Sequence, residues 1–154
     1  MYSKEEASKI KQEFWTTFGK YLSPQKSADG LKINWINYKT GVKHVSIRLD
    51  ADQKMASIGF QISHPDVDIQ ELFFAQFEEY KQILHDTLNE EFDWQPLIET
   101  YDGKLHSRIS KTLSPVNIFN KNDWPNLVSF FKPRIIALDE FWSTAKYGFE
   151  SLKN

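Results

Sequence analysis

Apolar and polar positions change period along the chain, and each change marks an element. Ala7, Ile10, Phe14, Phe18 and Leu22 recur at three- and four-residue steps, which puts them on one stripe of a helix. Ser3 with Glu6 forms a capping box at its start, and Ser23-Pro24 ends it. Three stretches then alternate with period two. They are Leu31, Ile33 and Trp35; Val45, Ile47 and Leu49; and Ala56, Ile58, Phe60 and Ile62. Alternation of this kind predicts strands with one buried face. Short connections at Lys39-Thr40-Gly41 and Ala51-Asp52-Gln53 predict hairpins.

Helical spacing returns with Ile69, Phe73, Phe77, Tyr80, Leu84 and Leu88, widened by Leu72 and Ile83, with Asp68 and Glu71 as a capping box. Two further strands flank Asp102-Gly103. Trp94, Ile98, Leu105 and Ile109 face one way, and Glu99, Tyr101, His106 and Arg108 the other. Pro96 assigns the first of these strands to an edge or breaks it. A last helical stripe runs from Leu127 through Phe131, Ile135, Leu138, Trp142, Ala145 and Phe149 to Leu152, with Asn122 or Asp123 as its cap. Pro133 predicts a kink or two abutting helices. The expected architecture is α+β, in the order α-β-β-β-α-β-β-α(α), with an antiparallel sheet of about five strands flanked by helices.

The hairpin turns suggest a register. Centring the second near Asp52-Gln53 sets Val45 opposite Phe60, Ile47 opposite Ile58 and Leu49 opposite Ala56. Centring the first near Thr40 sets Trp35 opposite Val45 and Ile33 opposite Ile47. Both choices keep the strong apolar residues on one face, whereas a one-residue slip would invert a strand.

Composition narrows the class. A chain of 154 residues, 40% apolar and 26% charged, fits one globular domain over residues 1–154. Aromatics make up 15%, which predicts a ring-rich core. The net charge of −2 gives no global positive field for nucleic acid. With no cysteine, disulfides, thiolate metal sites and a cysteine nucleophile are excluded. No apolar signal core and no membrane-spanning run occur, so the expectation is a cytoplasmic protein without membrane contact.

Candidate chemistry is sparse. No glycine-rich phosphate loop or nucleophile elbow is present, and no cofactor is expected. The four histidines, His44, His64, His85 and His106, do not pair at the spacing of a helical zinc site. The element order resembles the core of restriction-endonuclease-like nucleases. Those enzymes hold a metal with an Asp and a Glu-x-Lys pair, but this chain has Gln61-Ile62-Ser63 in that place. Asp50 also falls near the turn, far from Gln61. No catalytic residue or metal ligand is therefore assigned.

One polar constellation stands out. The sheet face opposite the core would carry Lys32, Tyr38, His44, Arg48 and Gln61, with Gly59 allowing close approach. The last hairpin would extend it with His106 and Arg108. Such a face suits an anion, a nucleic-acid backbone or a protein, or is simply solvated, as antiparallel sheets often are. Lys32 and Arg48 would lie directly opposite, a repulsive pair unless an anion or acid separates them.

The stretches Ile33-Asn34-Trp35-Ile36-Asn37-Tyr38-Lys39-Thr40-Gly41 and Asn117-Ile118-Phe119-Asn120-Lys121-Asn122-Asp123-Trp124-Pro125 carry a resemblance. So do Phe130-Phe131-Lys132-Pro133-Arg134, Leu138-Asp139-Glu140-Phe141-Trp142 and Phe14-Trp15. Together they resemble the bacterial domain-of-unknown-function family 4268 over nearly the whole chain. Relatives occur beside nuclease-like regions, so the resemblance implies a nucleic-acid or defence context and no catalytic residue. The combined expectation is a non-catalytic binding or interaction domain, with a protein partner or self-association, or alternatively a nucleic-acid-associated domain of degenerate nuclease-like shape.

Overall fold

The structure is a computed structural model that describes residues 2–152. Helix α1 spans Lys4–Leu22, and the Ser3 hydroxyl accepts the Glu6 amide at its start. Strands β1 (Val45–Ala51) and β2 (Ala56–Ile62) follow, then helices α2 (Val67–Glu79) and α3 (Lys81–Leu88). Strands β3 (Asp93–Glu99) and β4 (Leu105–Leu113) precede α4 (Trp124–Ala145) and α5 (Tyr147–Glu150). The four strands form one antiparallel sheet in the order β1-β2-β4-β3. No described helix is long and apolar enough to cross a membrane.

The sheet has four strands because residues 31–36 do not form one. The Asn34 side chain explains this locally. Its Oδ1 accepts the amides of Ile36 and Asn37 at 3.2 and 3.1 Å, a turn that competes with ladder bonding. Trp35 is nevertheless buried, with its indole N–H on the Gln25 carbonyl. Of the three alternating apolar residues, Leu31 is exposed, Ile33 half-buried and Trp35 buried, without strand pairing. The expected pairings of Trp35 with Val45 and Ile33 with Ile47 are absent, and so is the pairing of Lys32 with Arg48.

The β1–β2 register lies two residues from the expected one. Ile47 faces Phe60, Leu49 faces Ile58, and Val45 faces Ile62. Asp52 is the cause. Its carboxylate accepts the Lys54 and Met55 amides, so the turn closes around Gln53-Lys54. A two-residue shift preserves which face each side chain occupies.

Three further expectations change. The helix expected over 68–88 divides at Tyr80, and Asp66, not Asp68, caps its start. The division turns the Tyr80 ring onto Phe141 and Phe149, while Leu72 and Ile83 stay exposed. Pro96 does lie on an edge strand, but a bulge between Gln95 and Ile98 reverses the faces beyond it. Ile98 therefore pairs with His106, and Glu99 pairs with Leu105. Pro133 sits inside one continuous helix. It and Ser129, whose carbonyl loses its donor, are exposed, so water can take that bond.

The core covers one sheet face. Phe60 at the centre of β2 packs against Phe77 of α2 at 4.9 Å and Trp142 of α4 at 5.5 Å between ring centroids. Phe149 of α5 closes the cluster against Phe77 at 4.6 Å. A buried polar knot joins α2 to β4. The Ser107 hydroxyl donates to Gln70 Oε1, and Gln70 Nε2 donates to the carbonyls of His64 and Leu105.

Gly59 lies on the opposite face, but the room left by its missing side chain is taken by β4. A Cβ there would stand 2.1 Å from the Ile109 carbonyl oxygen and 2.6 Å from Ser110 Cα. The close approach belongs to the β4 backbone. Gly59→Ala should thus destabilise the fold by about 2 kcal/mol or more, measured by urea denaturation. A change below about 0.5 kcal/mol would contradict this packing.

Candidate functional site

The face of the sheet turned from the core is largely polar, with Ile98 an exception at the β3 edge. Register aligns Ser46, Gln61, Arg108 and Gln95 in one row across the four strands. The next row holds Arg48, Gly59, Ser110 and Asp93, and a third holds Asp50, Ser57 and Thr112. Arg108 Nε donates to Gln61 Oε1 at 3.2 Å, which orients both side chains. Arg48 is exposed, and the three ion pairs among the described residues all lie elsewhere.

At one end of this face stand the β2–α2 connection and the β3–β4 hairpin. Between them lies a cavity of about 670 Å³. His44, Ser46, Arg48, Gln61, Lys104 and His106 line it, with Pro65 and Val67 as apolar wall. A smaller depression of about 230 Å³ is lined by Arg48, Gly59, Arg108 and Thr112.

Local backbone structure sets the histidines. His44 has φ of 70°, a left-handed conformation uncommon for a non-glycine residue, and its carbonyl accepts the Ser63 amide at 2.9 Å. Its ring lies 4.6 Å from that of His64, whose Nδ1 accepts the Asp66 amide. Loss of hydration, then the neighbouring His64 and Lys43, push the His44 imidazole below its ordinary pKa. His106 Nδ1 is enclosed without a hydrogen-bond partner among the described residues.

Five of the residues singled out from the sequence therefore share this face: His44, Arg48, Gln61, His106 and Arg108. Lys32 and Tyr38 do not join them. Lys32 is exposed in the connection between α1 and β1. The Tyr38 hydroxyl donates to Asp139 Oδ1 of α4 at 2.5 Å, and Asp139 Oδ2 accepts the Ala28 amide at 2.8 Å. Burial, reinforced by the Asp139 carboxylate, pushes the Tyr38 phenol far up. Their displacement follows from the missing strand over 31–36. Sequence reading overlooked Asp139 and Lys104. An acid beside Leu138 on the apolar stripe of α4 was the available signal for Asp139.

Asp50 faces Ser57, whereas Gln61 faces Ser46. Four residue steps separate Asp50 from Ser46 along β1, about 13 Å, so the two side chains cannot share one metal. Among the described residues no three His, Asp or Glu side chains gather as a metal-holding group. The arrangement can donate hydrogen bonds from Arg48, Arg108 and Lys104 to an anion, with serine hydroxyls beside them.

A family described as a domain of unknown function, DUF4268, matches residues 10–146. The chain belongs to this family. The DUF4268 match includes every residue of the polar face and the α4 helix that covers the other side. No curated protein and no solved structure matches the chain.

The lowered His44 pKa has a testable consequence. The folded state disfavours its cation, so that contribution to stability is present above the ordinary value of 6.5 and is lost as pH falls through the lower folded value. Melting temperature should drop on acidification from about pH 7.5 to 5.5, and less steeply in His44→Asn, because asparagine tolerates the same backbone conformation. Parallel pH profiles for the two proteins would refute this.

Proposed function

We propose that this DUF4268 chain is a non-catalytic binding domain and that the open face of its sheet takes a phosphate-bearing partner, a nucleic-acid backbone. The observation that carries this reading is the arrangement around Arg48. An exposed guanidinium without an ion-pair partner among the described residues overlooks a cavity lined by His44, His106, Lys104 and Ser46. Arg108 stands in the adjoining row, held by Gln61. Guanidinium groups match phosphate oxygens with paired N–H donors, and an imidazole N–H can add a further hydrogen bond.

Acidic side chains temper the field. Asp93 ends the second row and Asp50 the third, and Asp102 lies at the cavity rim. Thr100 and the Lys104 amide hold the Asp102 carboxylate below its ordinary pKa, so it stays charged. The face therefore suits a few discrete phosphate contacts and not a broad electrostatic field, in keeping with the net charge of −2.

Fluorescence anisotropy with short DNA and RNA at low salt tests the reading. Affinity should fall as salt rises, and Arg48→Ala and Arg108→Ala should each weaken binding roughly threefold to tenfold while lowering the salt slope by about one. Equal, negligible binding by wild type and both variants at low salt would reject it.

A further inference from the structure

The two edges of the sheet differ. β3 carries Pro96, a bulge and the positive-φ residue Leu97, devices that prevent another strand from adding to an edge. β1, the opposite edge, is a regular seven-residue strand with none of them.

Hydrogen bonds at both ends of β1 show which of its backbone groups are used. The Ser63 amide donates to the His44 carbonyl, and the Asp52 amide to the Met55 carbonyl, each at 2.9 Å. Antiparallel bonding alternates, so Ser46, Arg48 and Asp50 turn their amides and carbonyls toward β2. Val45, Ile47, Leu49 and Ala51 turn theirs outward. Val45 is already satisfied by the Val42 carbonyl and the Thr40 hydroxyl. The outward groups of Ile47, Leu49 and Ala51 face an edge with no neighbouring strand among the described residues.

We propose that β1 pairs with β1 of a second copy of this chain, antiparallel about a two-fold axis through Leu49. Charge selects the register. An axis at Arg48 would set that residue against itself, and an axis at Ile47 would leave Arg48 facing Ser46. The axis at Leu49 sets each Arg48 against the partner's Asp50, twice by symmetry. That pair is of the non-hydrogen-bonded kind, in which side chains approach most closely. Ile47 and Ala51 then exchange both backbone bonds with the partner, and Leu49 does so with its symmetry mate. The half-buried Leu49 side chain meets its counterpart on the core side. An axis normal to the sheet keeps both polar faces on the same side, giving one continuous eight-stranded surface.

This pairing does not rest on the phosphate reading, although both engage Arg48, and sedimentation of the chain without nucleic acid tests the pairing alone. Sedimentation velocity of the full chain at roughly 100 µM, suited to an interface smaller than the standard size, should show a dimer. Asp50→Arg and Arg48→Asp should each weaken it by roughly tenfold or more, since both replace two attractive contacts with two repulsive ones. The double variant R48D/D50R restores complementarity and should recover dimerisation to within about threefold of wild type. Near-ultraviolet circular dichroism reports folding. If a reversal unfolds the chain, Asp50→Ala carries the same comparison. Leu49→Pro removes an outward amide that β2 does not use and should also give a monomer. A monomeric wild type overturns the proposal, and so does a dimer unaffected by both reversals.

Discussion

Everything on the sheet depends on the ring cluster packed beneath it. Phe60, Phe77, Trp142 and Phe149 come from β2, α2, α4 and α5, and their centroids lie 4.6 to 6.0 Å apart in every contact they make with one another. Each large ring removes about 150–250 Å² from water and gains from tilted or edge-on contact with the next. No sequence-local interaction offers comparable stabilisation, so the sheet must present Phe60 to the helices. Strand pleating then sends Gly59 and Gln61 to the other side, with Arg48 and Ser46 as their neighbours. The polar face is thus a geometric consequence of the aromatic one. Gly59 adds a further constraint, because β4 approaches there too closely for any side chain.

A second constraint determines where the sheet stops. Asp139 is buried on α4 without an ion-pair partner among the described residues, and it accepts hydrogen bonds from Tyr38 and the Ala28 amide. Such a carboxylate is stable inside a protein only while those donors remain. Trp142 adds a bond from its indole to the Thr40 carbonyl. Together these contacts hold Ala28, Tyr38 and Thr40 of the α1–β1 connection against α4. β1 is therefore the outer strand, and the open face is narrower by one strand than its sequence pattern suggests.

The parts of this arrangement that were legible share a physical basis in side-chain parity. Alternation in β1, β2 and β4 identified which residues face the core, and that answer is insensitive to a register shift of two. The Asp102-Gly103 hairpin and the edge position of Pro96 also followed from local conformational rules. Failures arose where a single polar side chain redirected the backbone. Asn34 formed a turn within an alternating stretch, and Asp52 moved the centre of a hairpin. Leu97 at positive φ marks a bulge that reversed Ile98 and Glu99. Period alone carries no information about such side-chain-to-backbone bonds. Tyr38 was misplaced because its side-chain partner, Asp139, lies 101 residues away.

Accessibility of the polar face is the claim on which the binding account stands. The chain contains no cysteine, so single cysteines can be introduced at Ser57, Ser110, Thr112 and, as a buried control, Ser107. Maleimide labelling under native conditions should proceed at Thr112→Cys and Ser57→Cys at nearly the rate of the unfolded chain, with Ser110→Cys close behind and Ser107→Cys strongly protected. Protection of the three outer positions equal to that of Ser107 would mean that the face is covered, and would contradict the account.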